Sequence, residues 1–577
     1  MIQDGFLHIC FWVVLCPLYI GLKADLLMDE VGSPTVYMNS TSGTLGFCER
    51  RRKVYSVDQW RLSTEDILDE LPVDPNRNNY VRRVQECIFS YVSPTPFTSD
   101  VRLVAVSEDA LENLLDLAIS VGETDAFLQF VSGRDGFTDW GPLAHRYGGH
   151  QFGVWAGQLG DGRAHLIGTY INRFGERWEL QLKGSGRTPY SRGGDGRAVL
   201  RSSVREFLCS EAMHYLGIPT SRAASLIVSD DAVWRDQFYN GSLRRERGAM
   251  VLRVAKSWFR IGSLEILSHS GEFELLRKLV DFIITNYFPS INSKAPNRTL
   301  TFFSIVVSET ANLIASWMSV GFAHGVCNTD NFSLLSITID YGPFGFMESY
   351  DADYVPNTSD DEGRYSIGNQ ANVAMFNLNK LRLALNPLLD SKQQQQASQV
   401  LRGFPDLYYK RFTELFRAKL GILGENDQDL ALISSFLDLM ASTRADFIMS
   451  FRQLSEISQD QLRSLSIPQE YWALQDIGQQ KQFLAWIDAY ILRLKRNPED
   501  TDEKRRRRMM LINPRYVLRN WMAESAVRKA ESNDFSEVHL LQKTLCQPFH
   551  TQKMAEEAGY SQRTPAWAKH LKVSCSS

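Results

Sequence analysis

His324-Gly325-Val326-Cys327-Asn328-Thr329-Asp330-Asn331, with Asp340-Tyr341-Gly342 beginning nine residues after Asn331, is the stretch on which the reading of this chain turns. An acid and an amide stand side by side in a polar segment that follows a long helical pattern, Ile305 to Val320. Strand-like Leu335, Ile337 and Ile339 precede Asp340, so two short strands would return the second carboxylate to the first. Phosphoryl chemistry uses such a set: a carboxylate to accept a hydroxyl proton, and an amide with a second carboxylate to hold a divalent metal through hard oxygens. The alternative is an accidental polar turn.

Upstream, Arg177 to Lys183 and Ala164 to Tyr170 flank Asn172-Arg173-Phe174-Gly175, which predicts a hairpin with glycine at a positive-φ position. Alternation places Trp178, Leu180 and Leu182 on the core face and Glu179, Gln181 and Lys183 on the other. Leu200, Val204, Phe207 and Leu208 recur at helical spacing between Ala198 and Leu216, with Glu206 on that helix and Gly217 and Pro219 ending it. A strand cation fixed by a helix carboxylate is the arrangement that holds nucleotide phosphates, which singles out Lys183 and Glu206. An exposed lysine and an exposed glutamate are the plain alternative.

Two glycine-rich stretches surround this pair. Gln158-Leu159-Gly160-Asp161-Gly162-Arg163 precedes the first strand and reads as a simple turn or as a polyphosphate loop with Arg163 adding charge. From Lys183-Gly184-Ser185-Gly186-Arg187 through Gly193-Gly194-Asp195-Gly196-Arg197 the glycines are too dense for a mere connector, which suggests backbone packed on a ligand. A further strand, Met250 to Ala255, carries Arg253. Helical patterns then take over at Phe273 to Tyr287, Ile305 to Val320 and Leu378 to Leu389.

Sheet first and helices after is the order of a bilobal α+β protein, not of alternating βαβ units. We expect a leader and linker, partly disordered, at 1–78, a sheet-rich N-lobe at 79–257, a helical C-lobe at 258–450 and a helical extension with a mobile tail at 451–577. Gln393 to Gln396 reads as a loop, and Lys504 to Arg508 as a solvated helix start beside Asp500 and Asp502.

Composition bounds the rest. With 577 residues the chain is too long for one core, and 44% hydrophobic with 23% charged residues excludes disordered, collagen-like and multi-span membrane chains. The 63 Lys+Arg against 67 Asp+Glu, net −4, leave no footprint for nucleic acid. Eight cysteines without C-x-x-C spacing indicate neither a zinc ribbon nor a disulfide scaffold. Phe6 to Leu22 is apolar, long for a signal-peptide core and marginal for a span, and it is the one feature that would bring the chain to a membrane.

Taken together these stretches resemble the selenoprotein O family, with its bacterial YdiU members. The carrying residues are Tyr147-Gly148-Gly149-His150-Gln151-Phe152-Gly153, Gly160 to Arg163, Leu182 to Gly186, Gly193 to Arg201, Asn328 to Asn331 and Asp340 to Phe346, with Asn513 to Asn520 and Asp534 to Val538 extending the match. The resemblance implies a protein-kinase-like fold that binds ATP in reversed orientation and moves AMP to Ser, Thr or Tyr hydroxyls of proteins. On it Asp330 is the proton acceptor, and Asn331 and Asp340 hold Mg²⁺, with Mn²⁺ as an alternative. Gly160, Gly162, Arg163, Lys183, Asp195, Gly196, Arg253, Arg260 and Asp340 match ATP-binding positions, and Glu206 matches the helix acid. Lys183, Arg163, Arg253 and Arg260 suit a departing pyrophosphate, which favours AMP transfer. Phosphorylation through the γ-phosphate and a silent nucleotide-binding scaffold are the competing readings.

Kinases separate the catalytic Asp from the metal-binding Asn by four residues, whereas Asp330 and Asn331 are adjacent. Ala371 and Phe376 stand where the family usually shows Pro and Trp. Cys575 stands where animal members carry selenocysteine, which suggests a redox role. Eukaryotic relatives imply a mitochondrial location, against which the apolar leader argues for secretory or membrane targeting.

Overall fold

A computed structural model of the chain describes residues 53–134, 141–569 and 571–574. The apolar leader, the linker at 32–46 and Cys575 lie outside the described residues. The sheet-rich part holds β1 (Val73–Asp74), β2 (Phe89–Tyr91), β3 (Val101–Val106), β4 (Leu143–His145), β5 (Gly148–Gln151), β6 (Val154–Gln158), β7 (Ala164–Ile171), β8 (Arg177–Lys183), β9 (Ala198–Val199), β10 (Arg222–Asp236) and β11 (Leu243–Ala255). One sheet runs β1-β2-β4-β7-β8-β11-β10-β3, with β9 paired to β11, and β5 and β6 form a separate hairpin. Three helices accompany it: α1 (Glu65–Glu70), α2 (Asp125–Val131) and α3 (Leu200–Tyr215).

Order begins earlier than the expected residue 79. Trp60, Ile67 and Leu71 are buried in the core, and Ser63 bridges to Thr169 of β7, so residues 53–78 belong to the folded body. The predicted hairpin forms as β7 and β8. Asn172 Oδ1 accepts from the backbone N–H of Phe174 and Glu176, and Gly175 has φ 78°, so side chain and glycine together close the turn. In β8 the polar face is not solvated: Glu179, Gln181 and Lys183 are all buried, because β11 brings Arg253 opposite Gln181 and the second lobe covers that face.

The helical part contains α4 (Ile261–His269), α5 (Phe273–Tyr287), α6 (Arg298–Ser319), α7 (Gln370–Leu385), α8 (Ser391–Arg402), α9 (Phe404–Lys419), α10 (Asp429–Thr443) and α11 (Phe447–Glu456). Two short strands, β12 (Phe322–Ala323) and β13 (Gly345–Phe346), pair antiparallel within it. Beyond follow α12 (Gln459–Arg463), α13 (Trp472–Gly478), α14 (Gln482–Leu494), α15 (Asp502–Ile512), α16 (Asn520–Glu531), α17 (Ser536–Leu545) and α18 (Lys553–Glu557). Gln393 to Gln396, expected as a loop, lie inside α8. Gln suits helices, and Asp390 caps the N-terminus by accepting from Gln393 N. In the basic run Arg505 is buried, donating to Leu454 O and Ile457 O, so that helix start is only partly solvated.

The extension returns to the sheet. α16 and α17 pack on α3, His539 Nε2 bonds Val104 O at 2.7 Å, and Gln542 Nε2 donates to Val106 O at 2.6 Å. The edge strand β3 is thereby covered, which removes a surface open to pairing with other chains. α3, read from sequence as amphipathic, is buried on nearly every side from Ser203 to Met213.

Lys419, at the end of α9, is 2% exposed and makes no salt bridge among the described residues; its Nζ lies 4.4 Å from the Phe451 ring centre. Burial pushes its pKa down to about 7. Between pH 7 and the ordinary lysine range the unfolded chain holds a proton that the folded chain does not, so stability rises with pH there, and below pH 7 the full cost of the buried charge is present. Lys419→Met is expected to stabilise the fold by about 1–4 kcal/mol at pH 6 and to abolish that rise, as read from unfolding midpoints against pH.

Candidate active site

The antiparallel pair Phe322↔Phe346 and Ala323↔Gly345 pinches the base of the segment from His324 to Phe344. Inside it, the two expected strands are reduced to one bridge, Phe332↔Thr338, closed by a turn in which Ser336 N donates to Ser333 O at 3.1 Å. Ser333 Oγ accepts from Leu335 N at 3.1 Å, a local bond that favours a turn over a ladder, and Ser336 Oγ lies 3.2 Å from Thr310 Oγ1. The return of Asp340 is secured instead by His324, whose Nε2 bonds Ile339 O at 2.9 Å, and by Trp317, whose Nε1 donates to Thr338 Oγ1 at 2.9 Å. Burial lowers the His324 pKa, against the Ile339 carbonyl that raises it. Asp340 itself adopts φ 57°, a conformation of a kind that concentrates at functional sites.

Asp340 is where the cations converge. Its Oδ1 accepts from Arg253 at 2.5 Å and Lys183 at 3.4 Å, and its Oδ2 accepts from Arg260 at 2.8 Å. Burial alone would raise this carboxyl, but Arg253, Lys183 and Arg260 hold it well below the usual range. Glu206, on α3, pairs with Lys183 at 2.8 Å and with Arg253 at 3.0 Å. The strand lysine and helix glutamate singled out in the sequence therefore meet, and Lys183 is buried. Arg260 bridges the two halves of the loop, donating from the same Nη1 to Asp330 O and to Asp340. Its guanidinium lies over the Tyr147 ring, behind the cavity wall.

A cavity of about 670 Å³ opens between the lobes, within the range of small-molecule sites. Gly160, Gly162, Arg163, Lys183, Asp195, Gly196, Glu206, Arg253, Asp330, Asn331 and Asp340 all line it. Asn331 spends its amide nitrogen on Val326 O at 2.9 Å, which leaves its oxygen as the atom able to ligate a cation. Asp330 accepts from Gln151 Nε2 through Oδ2 at 3.2 Å, while Oδ1 is buried without a hydrogen-bond partner among the described residues. Burial raises Asp330 to about 6. Burial also raises Asp161 to about 6, against Arg260 and Arg253. Asp195 is engaged by Arg235 of β10 in a two-pronged pair at 2.7 and 2.8 Å.

Gly184 of the glycine-rich stretch and Gly149 of β5 have different roles. Gly184 is absent from the cavity wall; a Cβ there would lie 2.5 Å from Ala249 O, so close chain-to-chain packing, not a ligand, requires it. At Gly149 a Cβ would fall 2.7 Å from Asp330 Oδ1, so glycine makes room for that carboxylate. Sequence reading missed Trp234, Arg235 and Tyr239, which reach the cavity from the β10–β11 hairpin, and Gln151. The density of aromatics between Trp234 and Tyr239 in an exposed turn was the available signal.

The oxygens of Asn331 and Asp340 fit a hard divalent cation. Asp340 offers about four lone-pair sites, and three carry the contacts given above.

Comparison with known proteins agrees with this geometry. The model of the family described as "Protein adenylyltransferase SelO" matches residues 76–546. The chain is 42% identical over 516 residues to the "Protein nucleotidyltransferase YdiU" of Azoarcus sp. (strain BH72), covering 88% of this chain and 98% of that protein. It is 42% identical over 510 residues to the protein of that name from Pseudomonas fluorescens (strain SBW25), covering 88% and 99%. For Xanthomonas campestris pv. campestris (strain B100) the identity is 43% over 514 residues, covering 88% and 98%. Match and architecture lead to one conclusion: the chain belongs to the protein adenylyltransferase SelO family.

Proposed function

We propose that this chain is a protein adenylyltransferase that moves AMP from ATP to Ser, Thr or Tyr hydroxyls of proteins. The observation that carries the reading is the gathering of Lys183, Arg253 and Arg260 on the single carboxylate of Asp340, in a wall that also holds Asp330 and Asn331. Over the whole lining, eight lysine and arginine side chains, Arg163 among them, stand against six carboxylates, Asp330 among them. Such an excess stabilises a departing pyrophosphate and so favours attack at the α-phosphorus. Asp330, raised by burial, accepts the proton of the incoming hydroxyl, and Gln151 orients it. Glu206 positions Lys183 and Arg253. Asn331 and Asp340 would hold Mg²⁺ or Mn²⁺, which when bound neutralises phosphate charge.

ATP labelled on the α-phosphate in one reaction and on the γ-phosphate in a second tests this. Protein label is expected from the first alone. Label from the second alone would make the chain a kinase, and label from neither a binding scaffold.

A further inference from the structure

Beside the nucleotide cavity lies a second cluster that the proposed reaction does not use. His150 of β5 and Glu265 and His269 of α4 each offer a donor atom within 4.8 Å of the other two. Glu265 and His269 stand four residues apart, on one face of the helix. His150 Nδ1 and Glu265 Oε1 are 2.6 Å apart, with the side chains 7% and 1% exposed. The other carboxylate oxygen, Glu265 Oε2, is buried and accepts no hydrogen bond from any described residue. An unsatisfied oxygen on so deeply buried a carboxylate is costly unless something else meets it. His269 faces solvent, its ring stacked on Trp155 at 3.9 Å and 13°.

We propose that His150, Glu265 and His269 form a site for a borderline divalent cation of the zinc type, with one position left open to solvent. The donor set argues for this class: two imidazoles with one carboxylate suit Zn²⁺, whereas Mg²⁺ prefers oxygens alone. The ion takes the place of the hydrogen bond between His150 Nδ1 and Glu265 Oε1, with the imidazole proton on Nε2, and spreads the two atoms to about 3.3 Å, the separation that bonds near 2.0–2.1 Å require. A carboxylate that meets the ion with both oxygens gives Glu265 Oε2 its partner. Nearby Lys380 opposes a cation by like charge, and its Nζ is drawn over the Phe376 ring at 4.9 Å.

The location gives the site a structural purpose. His150 N donates to Thr329 Oγ1 at 2.7 Å, Gly149 packs against Asp330, and Gln151 bonds its carboxylate. A cation joining β5 to α4 clamps the strand that supports the catalytic turn.

Full-length protein and a His269→Ala variant, both with Asn331→Ala to silence the nucleotide site, are equilibrated with Zn²⁺, dialysed and assayed for metal by plasma emission. His269 is exposed, so its variant is expected to fold, which circular dichroism checks. We expect one more zinc per chain with His269 than without it, and an affinity at least tenfold higher. Co²⁺ in place of Zn²⁺ should give tetrahedral visible bands that excess Mg²⁺ does not remove and that the variant lacks. Equal zinc content in the two proteins, or none retained by either, overturns the proposal.

Discussion

Asp340→Ala is expected to erase the metal dependence of ATP binding while leaving binding itself in place. In the intact protein this carboxylate is the shared counter-ion of Lys183, Arg253 and Arg260, and on the proposed reading it is a metal ligand as well. Its removal takes away an oxygen that a hard cation needs and simultaneously leaves three buried positive charges without their shared counter-ion. The two effects oppose each other. ATP should bind the intact protein at least about tenfold more tightly with Mg²⁺ than with a chelator, and the variant equally in both, within about threefold. Titration calorimetry at two metal concentrations decides it; a preserved Mg²⁺ advantage would take Asp340 out of the metal site. Without nucleotide the variant should also melt at a lower temperature, because the crowded cations lose their compensation, and ATP alone should restore much of the difference.

Asp330→Asn is expected to lower the rate of AMP transfer about 10²- to 10⁴-fold with ATP affinity held within about threefold. Asparagine keeps the shape beside Gly149 and an oxygen for Gln151, but it cannot take up a proton. Single-turnover transfer of α-labelled AMP, set against ATP affinity of the same variant, separates chemistry from binding. A loss smaller than tenfold would put the proton acceptor elsewhere.

The parts of this site that were legible in the sequence are those whose signal is local. The hairpin at Asn172 announces itself through Asx and glycine chemistry, α3 through its 3.6-residue spacing, and the Asp330 loop through adjacent polar types between apolar elements. The parts that were not legible depend on contacts between distant segments. Nothing in Lys183 or Glu179 alone shows that the polar face of β8 is covered by the second lobe. Gly184 and Gly149 look alike as letters, yet one makes room for a carbonyl and the other for the Asp330 carboxylate. The convergence on Asp340 draws on β8, β11 and the start of α4, more than 150 residues apart in places, as the Lys183–Asp340 separation of 157 illustrates.

The wrapping of α16 and α17 onto α3 has a temporal side. In kinases the helix bearing the paired glutamate swings, and that swing is a common point of control. Here the same helix is wedged from behind by segments that leave the ribosome hundreds of residues after it, with Arg205 bonded to Asn520 as one fastening. The surface against which α3 packs is therefore complete only when synthesis has passed Leu545.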